Sequence, residues 1–292
     1  MAQLGIDYKS EYVKLLDLLA RVNNANEGFS SSDISDGERL WYANILANKF
    51  TGHALTILHL SHGTVIQDLP SFPKHNFPDS ASIDVLTRAT MEAFLVFHYV
   101  FYAPTTAEEK DYRYWAYKAA GLAERQNFPT ITEEGRQTLD NDKIELNELR
   151  NKLESNKVFQ ALKDFQKRQI FEGEGKWRWK PGYKRHISWR EIAIDAGFSK
   201  MSASQIYSYL SGSAHSSSLS ILRMAQALEN KEPEKLIEPS INTMNIVIAN
   251  MIREYCALFP RAQDVLTKDL EGSNLVKQYI QIGRELDKYL GT

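Results

Sequence analysis

The chain has 292 residues, 43% of them hydrophobic and 25% charged, with a net charge of −2 and one cysteine. Near-neutrality excludes a globally polycationic nucleic-acid binder, so any such role must rest on a local patch. Cys256 alone cannot form an internal disulfide or a thiolate metal cluster, and charges interrupt every apolar run short of the about 18 residues that a membrane span needs. The opening MAQLGIDYKSEYVKLL shows no signal or targeting pattern, and a cytoplasmic, reducing setting is expected.

Tyr12, Leu15, Leu16, Leu19 and Val22 recur at helical spacing and predict an amphipathic helix over residues 7–23. A polar loop follows, then a long helix from Asp36 to about His62, which Gly63 stops. Pro70, Pro73 and Pro78 make the stretch from Val65 to Asp79 a loop. Asp79 or Ser80 can cap the next helix, which runs to about Tyr102. Its sequence is apolar on most sides, and it belongs in the centre of the fold. Thr106-x-x-Glu109 opens a helix to about Arg125, and Thr130-x-x-Glu133 opens a charged segment. Leu139, Leu146 and Leu153 repeat every seven residues, with Leu149 between, so Glu133 to Phe171 reads as a projecting helical arm with a narrow apolar stripe. After glycine and proline breaks, Ser188-x-x-Glu191 caps a short helix ending at Gly197. The stretch Ile206–Arg223 comes next, either one helix or a helix that packs on a neighbour and ends near the serine run with His215 as a satisfied, partly buried histidine; Ile221 to Leu228 continues helically, and three more helices close the chain. No segment shows sustained two-residue alternation. The reading is all-α, about ten helices in an irregular bundle: residues 1–130 supply its N-terminal helices, 131–175 the arm, and 176–292 complete the same bundle.

Tyr207, Ser211 and His215 sit four residues apart and share a helix face that offers a phenol, a hydroxyl and an imidazole. Arg88 and Glu92 lie one turn apart on the apolar central helix, where unpaired burial of either charge is expensive. They read equally as an ion pair between helices or as a site. These two faces, with Lys49 and His53, are expected to meet in one cavity, where Arg88 would bind an anion and His215 act as general acid or base. His59 and His62 could share a helix face, but no Glu-x-x-His and no carboxylate pair completes a metal site, and no cofactor is expected.

The sharpest local signal is KWRWKPGYKRHISWR, residues 176–190, in which six Lys or Arg alternate with aromatic residues and no acid interrupts them. Lys176, Arg178, Lys180, Lys184 and Arg185 beside Trp177 and Trp179 suit a phosphodiester chain with unstacked bases. The plainer alternative is a loop whose tryptophans plug the core while its charges stay in water.

Taken in order, Arg88-x-x-x-Glu92, Trp179, Ser188-Trp189-Arg190-Glu191-Ile192 and Tyr207-x-x-Leu210-Ser211-x-x-Ala214-His215 resemble a widespread family of uncharacterised bacterial helical proteins, over roughly Asp79 to Leu228. That family looks related in style to the HEPN helical domains, many of which are RNA-cutting toxins or phage-defence effectors. The resemblance implies a HEPN-like bundle in which an Arg and a His cooperate on a scissile phosphate, usually across a dimer. HEPN ribonucleases space that pair by four to six residues. No such pair occurs here, so a nuclease assignment requires Arg88 and His215 to meet through the fold. The resulting expectation is an RNA-engaging, metal-independent ribonuclease that forms a homo-oligomer. The competing expectation is a non-catalytic partner-binding subunit or small-anion sensor that recognises a protein through the 131–175 arm.

Overall fold

The computed structural model describes residues 7–28, 36–63, 79–173, 175–214 and 217–289. Among them are α1 (Tyr8–Asn24), α2 (Gly37–Ser61), α3 (Ser80–Phe97), α4 (Ala107–Arg125), α5 (Glu133–Glu154), α6 (Lys157–Gln160) and α7 (Asp164–Ile170). There follow α8 (Trp189–Asp195), α9 (Lys200–Ala214), α10 (Ser218–Glu229), α11 (Glu238–Leu258), α12 (Pro260–Lys268) and α13 (Leu270–Tyr289). No strand occurs among the described residues, as the missing two-residue alternation predicts. Nor is any helix among them long and apolar enough to cross a membrane. The proline-bearing stretch 65–78 and the candidate His215 lie outside the described residues.

The chain forms two compact units, the first from Met1–Phe97 with Ala193–Thr292, the second from His98–Ile192. In the first unit α3 packs along α2 and α9, and α11 packs against α1, α3 and α13. The helix that fills the middle is α11, with fifteen of its residues buried. Its sequence disguises this, because Asn245 and Asn250 fall among the aliphatics. Their amide nitrogens are partnered in place: Asn245 Nδ2 donates to Tyr279 Oη (3.1 Å) and to the Tyr8 carbonyl (3.0 Å), and Asn250 Nδ2 to the Ile246 carbonyl (2.9 Å). Cys256 is a small core residue on the same helix, and burial pushes its thiol up to about 12.

In the second unit α5 folds back along α4. The leucine stripe finds its apolar partner there: Leu149 and Leu153 are buried, Lys118 pairs with Glu145 and Arg125 with Asp142, and Gln126 Nε2 donates to the Leu139 carbonyl (3.1 Å). The expected arm to Phe171 is thus three helices. The first break is Asn156, whose side chain accepts from the Val158 (2.9 Å) and Phe159 (3.2 Å) amides and so starts α6. The cap of α5 also differs from expectation. Thr132, not Thr130, accepts from the Gly135 amide (3.1 Å), and Thr130 instead lies so close that a Cβ on Gly135 would overlap its hydroxyl.

Two expected caps hold. Thr106 accepts from the Glu109 amide (3.2 Å), while Ser188 and Glu191 exchange bonds, the Ser188 amide donating to Glu191 Oε2 (2.9 Å). Of the two readings of Ile206–Arg223, the helix that ends near the serine run is the one found. α9 ends at Ala214, and Ser217 caps α10 by accepting from the Ser220 amide (3.3 Å). Ser217 thus starts a new helix, the use that suits a hydroxyl at a helix N-terminus.

Candidate functional site

The site lies in the first unit, where α3 meets α9. Along α3, Asp84, Arg88 and Glu92 recur every four residues and form one polar stripe on a helix whose other buried positions are Ile83, Met91, Phe94 and similar side chains. α9 answers with Tyr207, Tyr209 and Ser213. Arg88 donates from Nε to Glu92 Oε1 (3.1 Å) and from Nη2 to Tyr207 Oη (3.2 Å). Tyr207 in turn donates to Glu92 Oε1 (3.1 Å), and the guanidinium carbon stands 5.1 Å from the Tyr207 ring centroid. The ring of three groups is closed and charge-neutral.

A second cluster repeats the arrangement at the neighbouring turn. Arg223, from α10, donates to Tyr209 Oη (2.6 Å) and lies over its ring at 4.3 Å. Asp84 accepts from Ser240, and the Tyr209 and Ser213 hydroxyls stand beside its carboxylate. A cavity of about 60 Å³ opens beside Asp84, Ser213, Ser220 and Arg223, room for a water or a very small ligand.

Environment separates the two clusters. Arg88 keeps 25% and Glu92 32% of its side chain exposed, whereas Asp84 is buried. Burial pushes the Asp84 carboxyl above its ordinary range, against the hydrogen bonds from Ser240 and Ser213 and the Arg223 charge. Tyr209 is pushed up to about 12 by burial and then by the Asp84 charge. Tyr207 is raised by burial and by Glu92, with Arg88 pulling the other way. Neither phenol is a base near neutrality; both act as hydrogen-bond donors. The chemistry this arrangement offers is anion binding. Arg88 has more donors than Glu92 and Tyr207 occupy, and its side chain reaches solvent.

The structure therefore brings Arg88, Glu92 and Tyr207 together. Ser211 follows one turn along α9, half-buried, with no side-chain hydrogen bond to a described residue. Lys49 and His53 correct the expectation of a third face, because neither makes a hydrogen bond or ion pair to this cluster. Lys49 is exposed, and burial followed by the Lys49 charge lowers the His53 imidazole. Asp84, Tyr209, Ser213 and Arg223 went unrecognised in the sequence, although Asp84 stands four residues before Arg88 and repeats its spacing to Glu92.

In the second unit the basic–aromatic loop divides by residue type. Trp177 and Trp179 are buried, which corrects the expectation that their faces stack on bases. Trp177 packs against Tyr117 (5.0 Å between ring centroids) and Tyr99 (5.7 Å), and Trp179 against Phe165 (5.6 Å) and His186 (5.9 Å). Tyr112 fixes the loop backbone by donating to the Trp179 carbonyl (2.9 Å). The cations are elsewhere: Lys180, Lys184 and Arg185 are exposed, Lys176 and Arg178 half-buried. Arg178 stacks 3.7 Å from the Trp189 ring centroid, and Arg185 pairs with Glu191 (2.7 Å).

A family of unknown function, DUF5677, matches residues 66–233, more than half of the chain, and the chain belongs to it. Comparison with curated proteins and with solved structures gives no match.

Proposed function

We propose that this family member engages single-stranded RNA through its second unit and, in the manner of HEPN ribonucleases, cuts it without metal. The carrying observation is charge. Residues 157–190 hold ten Lys or Arg against three Asp or Glu, in a chain whose net charge is −2. With the tryptophans buried beneath, the stretch presents flexible cations that suit a phosphate backbone and read no sequence.

The catalytic part of the proposal assigns Arg88 to the scissile phosphate, with Glu92 and Tyr207 holding its guanidinium and Ser211 one turn away. His215 would take the proton of the 2′-hydroxyl as that oxygen attacks phosphorus. It would then return a proton to the departing 5′-oxygen, leaving a 2′,3′-cyclic phosphate. Incubation of the purified chain with labelled single-stranded RNA and a chelator tests this. Cleavage that survives the chelator and is abolished by His215→Ala supports it; an intact substrate, or cleavage unaffected by His215→Ala, refutes it.

A second reading, partner binding, is favoured by α10, which has no buried residue and exposes Leu219 (65%), Ile221 (55%), Leu222 (58%) and Leu228 (56%). Arg223 is the only charge between Ser218 and Leu228, and it turns to Tyr209. A face without charge is self-complementary, so the occupant proposed is a second copy of this chain. In the 131–175 segment, which packs along α4, Leu149 and Leu153 are buried and Leu139 and Leu146 half-buried.

A further inference from the structure

Away from the α3–α9 site, the second unit has an open groove of about 540 Å³ among α5, α6 and α7, the size range of a small-molecule pocket. Phe159 and Phe171 line it, 6.3 Å apart between ring centroids and steeply inclined at 75°. Phe159 is buried and Phe171 half-buried, so part of Phe171 is open to the groove. Three cations surround them. Arg150 lies 4.6 Å from the Phe171 centroid, Lys167 lies 5.7 Å from that of Phe159, and Arg168 completes the set. None of the three forms an ion pair with a described carboxylate. Glu154 and Glu172 stand on the same walls, exposed.

This set of groups discriminates among ligands. A simple inorganic anion would use the cations but gain nothing from the rings, and two carboxylates would repel it. A purely apolar ligand would strand three charges. A molecule with one planar face, one anionic group and several hydroxyl donors uses all of them. We propose that the groove binds a nucleotide, its base against Phe171, its phosphate among Arg150, Lys167 and Arg168, and its ribose hydroxyls donating to Glu154 and Glu172. The nucleotide is either free or one unit of a strand. In the second case the groove is the nucleotide-holding part of the RNA-engaging surface proposed above, and the inference rests on that reading.

Calorimetric titration of the full chain with adenosine monophosphate, ribose 5-phosphate, inorganic phosphate and a short single-stranded oligoadenylate tests the inference. Adenosine monophosphate should saturate one site, about tenfold more tightly than ribose 5-phosphate, the margin of one base–aromatic stack. The double change Lys167→Ala with Arg168→Ala, and separately Phe171→Leu, should each weaken it about tenfold. Melting curves should confirm that both variants fold, and Lys268→Ala, an exposed change on α12 of the first unit, should leave mononucleotide binding unchanged. Mononucleotide that binds no better than phosphate, or equally well to folded groove variants, overturns the proposal. Oligoadenylate binding that ignores the groove variants, while mononucleotide binding is weakened by them, supports the groove as a free-nucleotide site, overturns its place on the RNA surface and leaves the RNA reading intact. Mononucleotide binding without oligoadenylate binding supports the groove as a free-nucleotide site and refutes the RNA reading instead.

Discussion

Tyr209 stands between Arg223 and Asp84 as Tyr207 stands between Arg88 and Glu92: each phenol accepts from a guanidinium that also covers its ring, and each lies against a carboxylate of α3. Two arginine–tyrosine–carboxylate links on adjacent turns thus fasten α9 to α3. They differ in depth, and the difference sets what each can do. The buried Asp84 link holds structure, and the solvent-reaching Arg88 link is left to meet a ligand.

Removing the phenolic oxygen should therefore separate the two links. Tyr209→Phe strands a buried carboxylate donor–acceptor pair and should cost about 1–3 kcal/mol, whereas Tyr207→Phe, in a partly solvated ring, should cost about 1 kcal/mol or less. Chemical denaturation of both variants checks this; an equal loss would contradict the assignment of depth.

Asp84 should leave a signature in pH. Its folded carboxyl holds a proton more tightly than the unfolded one, so the folded state gains protons relative to the unfolded state across that interval. Its contribution to stability therefore falls as pH rises from the ordinary carboxylate range through the raised value. Asp84→Asn removes the titration, and the wild type should lose ground against the variant as pH rises over that window. A stability difference that is flat with pH would sink this.

Glu191 should show the opposite sign. Hydrogen bonds from Ser188 and then Arg185 hold its carboxyl down at about 2, so its stabilisation is present above the ordinary glutamate value and lost as pH falls through about 2. Glu191→Gln should cost about 1 kcal/mol at neutrality, the typical worth of a cap, and the gap should close in acid. Melting temperatures of both proteins at a series of pH values measure it.

The polar core of the site was half legible in the sequence. Arg88 and Glu92 announce themselves as charges one turn apart on an apolar helix, and Tyr207 lies on the polar face that such a helix needs opposite it. Arg223 was hidden because the serine run leaves open in the sequence whether one helix crosses it or two meet there. Only the restart at Ser217 turns Arg223 back onto Tyr209. The tryptophans show the reverse limit. Alternating cations and indoles look alike whether the rings stack on bases or plug a core, and packing against Tyr99, Tyr117 and Phe165 decides for the core. Helix type was the easier part, since apolar spacing and the Thr106 and Ser188 caps depend on near neighbours alone.

The exposed face of α10 carries its own prediction. If copies of the chain meet there, light scattering should give a dimer mass, and Leu222→Glu should return the monomer without lowering its melting temperature, since that side chain is 58% exposed. A wild type that stays monomeric at tens of micromolar concentration would contradict it.

The salt dependence of single-stranded RNA binding tests the central claim most directly. Fluorescence anisotropy with the full chain should show an affinity that falls steeply with salt. Replacing Lys167, Arg168 and Lys184 by Ala should lower the slope of log K against log salt by about 2, or about 0.7 for each phosphate no longer neutralised. RNA binding that is absent at low salt, or whose slope is unmoved by those three changes, would contradict the account.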